Sequence, residues 1–154
     1  MPIGMTELGP LWIDLTEADS ILIGGSRDGG KTGELHGWIQ ALLHGERTLI
    51  YASDGKRGLE FSAYAVHKNF HFYLDQVRML EDIMELLRGR EKQLQQSGHP
   101  DILLHNAVDG EFIAPIALII DKAAVLPDRA KEHLMSMIRL YRDLGLYPII
   151  ATDQ

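Results

Sequence analysis

The stretch Ser20-Ile21-Leu22-Ile23-Gly24-Gly25-Ser26-Arg27-Asp28-Gly29-Gly30-Lys31-Thr32 decides the fold. Its first five residues form an apolar, β-branched run of the kind buried in a parallel sheet, and the glycines that follow break that run into a turn. Directly after the turn, Leu35, Trp38, Ile39, Leu42 and Leu43 recur at helical spacing, so the segment reads strand, turn, helix with one apolar stripe facing the sheet. Two further runs of the same kind lie at Thr48–Ser53 and Ile116–Asp121, and a fourth at Tyr147–Thr152. Helical patterns separate them, from Asp75 as N-cap to about Gln95 and from about Asp128 onward, where Gly145 supplies a left-handed stop. Strands alternating with helices give an α/β class: a parallel sheet joined by right-handed crossovers and covered by helices on both faces.

The surroundings of these elements carry weaker signals. Residues 1–10, with Pro2, Gly4, Gly9 and Pro10, read as a flexible lead-in to a short strand at Leu11–Leu15. Gly33 and Gly37 each cost a helix about 1 kcal/mol relative to Ala, which points to a close backbone approach, with packing as the simplest cause. The stripe Val77, Leu80, Met84, Leu87 and Leu94 reads as core packing rather than a coiled-coil seam. Residues 97–115 read only as a loop or hairpin.

Composition narrows the function classes. With 154 residues the chain is the length of one domain, and 45% hydrophobic with 24% charged residues is a globular balance that excludes wholesale disorder. There is no cysteine, which removes disulfides, thiolate metal sites and cysteine nucleophiles. No apolar run is long enough to span a bilayer and no secretory signal opens the chain, so the expected location is cytoplasmic. A net charge of -7 argues against a free-standing protein that coats nucleic acid, and confines any DNA contact to a local patch.

Gly25 to Thr32 fits G-x-x-x-x-G-K-[ST], the phosphate loop. Gly25, Ser26, Arg27, Asp28, Gly29 and Gly30 would turn main-chain N–H groups inward around phosphates, at the positive end of the following helix. Lys31 would reach the β- and γ-phosphates of ATP, and Thr32 would offer its hydroxyl to Mg²⁺. Asp28 places a carboxylate in that cradle, repulsive towards a triphosphate by about 1 kcal/mol where screening is incomplete, although Asp tolerates the left-handed backbone such a loop demands. Asp121, at the end of the run Ile116–Ile120, is the expected metal-side carboxylate. The next residue is Lys122, a cation at a place where polarising an attacking water would call for a carboxylate. A lysine cannot serve as that base, but its cation could hold a γ-phosphate.

With these residues in place, the chain resembles the motor domain of the FtsK/SpoIIIE family of DNA translocases, in the FtsK–HerA group of P-loop ATPases, with a degenerate Walker B. The resemblance spans nearly the whole sequence. Leu11–Leu15 with Ser20–Gly25 resembles the family's entry into Walker A; Asp54-Gly55-Lys56 with Leu59–Ser62 resembles its Asp-x-Lys segment. Arg88-Gly89-Arg90-Glu91 is similar to its basic segment, Arg142 to Tyr147 to its Arg-x-x-Gly-Ile, and Ala151-Thr152-Asp153-Gln154 to its Ala-Thr-Gln. The family implies a RecA-like fold in a trimmed or minimal form, and a homo-oligomeric ring that hydrolyses Mg-ATP and moves double-stranded DNA. It also implies an arginine reaching into a neighbour's site, at the position of Arg142, where a plain surface arginine is the other reading. Lys122, Asp28 and the displacement of the sensor Gln by Asp153 depart from the pattern and imply weak or lost hydrolysis. The alternative is a non-hydrolysing, nucleotide-dependent assembly or regulatory subunit; a small-molecule phosphotransferase lacks the arginine-rich lid it would need.

Other groups carry less. His67 and His71 share a four-residue helical spacing but lack a third metal ligand, and read as surface groups. Lys56 with Arg57, and Arg88, Arg90 and Lys92, read as solvated basic faces before they read as a DNA track.

Overall fold

The computed structural model describes residues 2–18, 20–108 and 111–153. In chain order these form β1 (Pro2–Thr6), β2 (Gly9–Trp12), β3 (Ile21–Gly25), α1 (Lys31–Gly45), β4 (Leu49–Ser53), β5 (Phe70–Phe72), α2 (Gln76–Ser97), α3 (Ile102–Val108), β6 (Ile116–Ile120), α4 (Asp128–Leu140) and β7 (Leu146–Asp153). The last five strands make one sheet in the order β3-β7-β6-β4-β5, and every neighbouring pair is parallel. The architecture is α/β, as the alternation of strands and helices requires.

Side-chain alternation along each strand splits the core into two layers. Ile116, Leu118, Ile120, Leu146 and Ile150 point to one face, where they pack with Leu80, Ile83 and Leu87 of α2 and Ala130, Leu134 and Met137 of α4. Ile50, Ala52, Ile119, Ile149 and Ala151 point to the other, against Leu35, Trp38 and Ile39 of α1. Helices therefore cover both faces, and the stripe on α2 is spent on the core. Its start is set by Asp75, whose carboxylate accepts the Arg78 N–H at 3.1 Å.

Several sequence expectations change. Residues 2–6 pair antiparallel with 9–12, so the lead-in forms a two-stranded hairpin, and the strand expected at Leu11–Leu15 lies earlier, at Gly9–Trp12. Glycine and proline report local turn preference and are silent about pairing partners. A Cβ on Gly33 or Gly37 would meet nothing within 4 Å, so neither glycine serves a close approach. Residues 102–108 are helical rather than looped, started by Asp101, whose carboxylate accepts the Leu104 N–H at 2.8 Å. The short edge strand β5 has no counterpart in the sequence reading. Helix α4 ends at Leu140, and the left-handed Gly145 (φ 82°) instead turns the chain into β7, where a Cβ would sit 2.1 Å from Ile102 Cδ1. His67 follows a 3-10 turn and His71 lies on β5, stacked on Tyr51 with ring centres 4.7 Å apart, so the pair shares no helix.

Arg90 is the clearest correction. It is buried, not solvated, and donates from Nη1 to Leu144 O at 2.9 Å and from Nη2 to Ala114 O. Those carbonyls precede β7 and β6, so the guanidinium ties together the ends at which two central strands begin. Burial pulls its pKa down to about 10. Arg88 and Lys92 remain exposed.

Candidate functional site

In a parallel sheet the carboxyl ends of all strands meet at one edge, and ligands of open α/β folds bind in the crevice there. Here that edge gathers the loop after β3, Asp54 after β4, Asp121 after β6 and Asp153 at the end of β7. A cleft of about 330 Å³ opens between them, lined by Arg27, Asp28, Gly29, Gly30, Lys31, Thr32, Gly33, Lys56, Asp121, Lys122 and Asp153. A larger groove of about 840 Å³ lies at the other end of the sheet, between residues 12–17 and 41–48, and holds none of these groups.

The loop itself is built by backbone demands. Asp28 takes the left-handed conformation (φ 63°), as its side chain permits, and Gly30 takes φ 84° as the N-cap of α1. The Gly29 N–H donates to Ser26 O at 3.1 Å, and a Cβ on Gly29 would approach that same carbonyl to 3.0 Å. No side chain caps the start of α1, which leaves the positive end of the helix facing the cleft.

Lys31 is nine-tenths buried. Its Nζ donates to Gly25 O at 2.9 Å and Ser26 O at 2.7 Å, and pairs with Asp153 Oδ1 at 2.8 Å. Thr32 Oγ1 donates to Asp121 Oδ2 at 3.0 Å, across 89 positions of sequence, and Asp121 is 3% exposed. Lys122 adopts a left-handed backbone (φ 59°), costly for a residue with a Cβ, and lines the cleft beside Asp121. The Lys31 ammonium, with Lys122 and Arg27 farther off, holds the Asp153 carboxyl below the usual carboxylate range.

Asp54, buried, fastens the wall opposite the loop. Its carboxylate accepts the backbone N–H groups of Lys56, Gly58, Glu60 and Phe61 at 2.8–3.2 Å. Beyond it, Glu60 accepts from Lys56 Nζ and lies 3.5 Å from His36 Nε2, while His36 Nδ1 meets Tyr64 OH at 2.9 Å.

The structure thus brings together Gly25 to Thr32, Asp121 and Lys122, as the sequence suggests, and leaves Arg142 apart. Arg142 stands before β7, at the end of the sheet remote from the cleft, and its Nη2 donates at 3.3 Å to Thr16 O and Glu17 O. Three cleft features escape the sequence reading: the Asp153 pairing with Lys31, the presence of Lys56, and the anchoring role of Asp54. The signal for their shared end of the sheet was available, since residues that follow the carboxyl ends of parallel strands gather there, whereas which of them pair depends on strand order.

Solved structures share this fold. The conjugation coupling protein TcpA of pCW3, a monomer form with ATPγS, superposes with a TM-score of 0.83 over 99% of this chain and 47% of its own, at 24% identity. The fold is that of the FtsK/SpoIIIE-type ATPase domains. EssC from Geobacillus thermodenitrificans (ATPases 2 and 3) matches this ATPase fold at TM-score 0.81 and 18% identity, over 99% of this chain and 33% of its own. The cytoplasmic domain of the Thermomonospora curvata type VII secretion ATPase EccC matches at 0.82 and 22%, over 98% and 21%. The chain spans less than half the length of each of these three proteins. No protein-family model and no curated protein matches the sequence. None of the helices among the described residues is long and apolar enough to cross a membrane.

Proposed function

We propose that residues 1–154 form one FtsK-like ATPase domain that binds Mg-ATP in the cleft and belongs to a machine that moves or transfers DNA, with hydrolysis slowed by Lys122. The observation that carries this reading is the 3.0 Å contact between Thr32 Oγ1 and Asp121 Oδ2 beside the Gly25–Thr32 loop. A hydroxyl and a carboxylate side by side are the kind of donor pair that a hard cation favouring oxygen ligands takes. Both groups suit Mg²⁺, which would neutralise charge between the β- and γ-phosphates. Gly25 to Gly30 would cradle the phosphates and Lys31 would pair with them. Lys122, next along the chain from Asp121, supplies a cation to the terminal phosphate and no base for water.

Two neighbours favour a transfer machine. TcpA is a conjugation coupling protein, and EccC is a type VII secretion ATPase. Double-stranded DNA is the partner that the family resemblance implies, in a homo-oligomeric ring in the cytoplasm where Arg142 would serve a neighbouring subunit's site; the net charge of -7 keeps any DNA contact local. Binding of a fluorescent ATP analogue, with and without Mg²⁺, tests the core of this reading. Binding is expected in the native chain and lost in Lys31→Ala, and equal binding in both would reject it.

The left-handed Lys122 in the cleft favours a second reading: a subunit that binds nucleotide to assemble or regulate and does not turn it over. Steady ATP hydrolysis that disappears in Lys31→Ala would exclude it.

A further inference from the structure

An ammonium group has three protons to donate, and Lys31 has three partners for them. Two are carbonyls of the loop itself, Gly25 O and Ser26 O; the third, Asp153 Oδ1, is the one anion and belongs to a different strand. A phosphate oxygen that reaches Lys31 Nζ must take one of these places. The carbonyl contacts are part of the loop's own shape, whereas the carboxylate sits on a side chain that is 42% exposed and free to turn outward.

The backbone makes the contact a built one. β3 and β7 pair in register with Gly25 opposite Asp153, so the carboxylate springs from the position directly beside the first glycine of the loop. Arg27 and Lys122 also act on it, which gives the carboxylate other cations to turn to when it leaves Lys31.

We propose that Asp153 is an internal substitute for a ligand phosphate: it holds the Lys31 ammonium until a nucleotide arrives and must be displaced before that nucleotide is gripped. This rests on the reading that the cleft binds a nucleoside triphosphate, and adds a regulation to it. The displaced carboxylate also repels the incoming phosphates, so its effect grows with the number of phosphates that approach Lys31. Asp153 thereby sets an affinity threshold that favours ligands with enough negative charge to compete.

The test is equilibrium binding of ATP, ADP and adenosine to the native chain, Asp153→Asn, Asp153→Ser and Lys31→Ala, with a thermal melt of each variant to establish folding. Removing the carboxylate is expected to tighten ATP binding by about fivefold or more, ADP binding less, and adenosine binding not at all. ATP binding that is unchanged or weaker in both folded Asp153 variants, while Lys31→Ala still abolishes it, overturns the substitution and leaves the nucleotide reading intact. ATP binding that Lys31→Ala does not affect overturns the nucleotide reading and the substitution with it. Two charge-removing variants of different size keep the result independent of whether one of them folds poorly.

Discussion

Lys122 lays its aliphatic stem across the α-carbon of Gly55: a Cβ built there would lie 2.8 Å from Lys122 Cδ and 2.9 Å from Lys122 Cβ. The loop after β4 and the residue after Asp121 are fitted to one another, and only glycine leaves room. Gly55→Ala must push the stem away or shift the loop, which overpacking data put at about 1–3 kcal/mol. Urea denaturation would show the loss, and an unchanged midpoint would mean that the stem moves freely.

Charge reversal at Lys122 tests the proposal that this residue slows turnover. In Lys122→Glu a carboxylate stands beside Asp121, able to orient water, and steady-state ATP hydrolysis is expected to rise about tenfold or more. The same variant gives up the cation near Asp153. A rate equal to that of the native chain would overturn that proposal.

Arg90 predicts a stability effect with no binding effect. Arg90→Met keeps much of the stem but leaves Leu144 O and Ala114 O without their donor, a loss of about 2–3 kcal/mol for charge-assisted bonds at a buried site. Nucleotide affinity measured well below the melting temperature should match that of the native chain. A drop in affinity without a drop in stability would contradict the structural role.

Acid should weaken the fold partly through Glu60. Its carboxyl is held below the ordinary 4.5, first by the hydrogen bond from Lys56 and then by His36, with burial opposing. Because the folded pKa lies below the unfolded one, the native state binds fewer protons in between; the contribution is complete above about 4.5 and disappears as pH falls through the depressed value. Asp14 behaves alike through its bonds from Thr16. Urea midpoints followed from neutral pH to about pH 3 should fall less steeply in Glu60→Gln, and identical slopes would remove Glu60 from the account.

How far the sequence was legible follows from the range of each signal. The loop, its strand and its helix are contiguous, so Gly25 to Thr32 could be read directly, including the left-handed Asp28. Asp121 followed from a strand that ends in a carboxylate. The role of Arg90 is not legible in the sequence because periodicity places a residue on a helix face without saying what lies opposite, and here two carbonyls wait in the core. Asp153 stands out in the sequence as a departure from the family pattern, yet its pairing with Lys31 depends on β3 lying beside β7, a strand order fixed by packing across the whole sheet. The helix at Ile102–Val108 is too short for its period to stand out from its turn-rich flanks.

Among the described residues β3 is an outer plank of the sheet, fastened along one seam to β7. Both ends of the Lys31 clasp, Gly25 and Asp153, hang from that seam. Peeling it apart would dismantle the cradle while the layers around β4 and β6 stay closed, so warming should cost the molecule its grip before it costs the molecule its shape. A ligand bridging loop and seam acts as a rivet there, and slowed amide exchange along Ile21–Gly25 is where its arrival would first be felt.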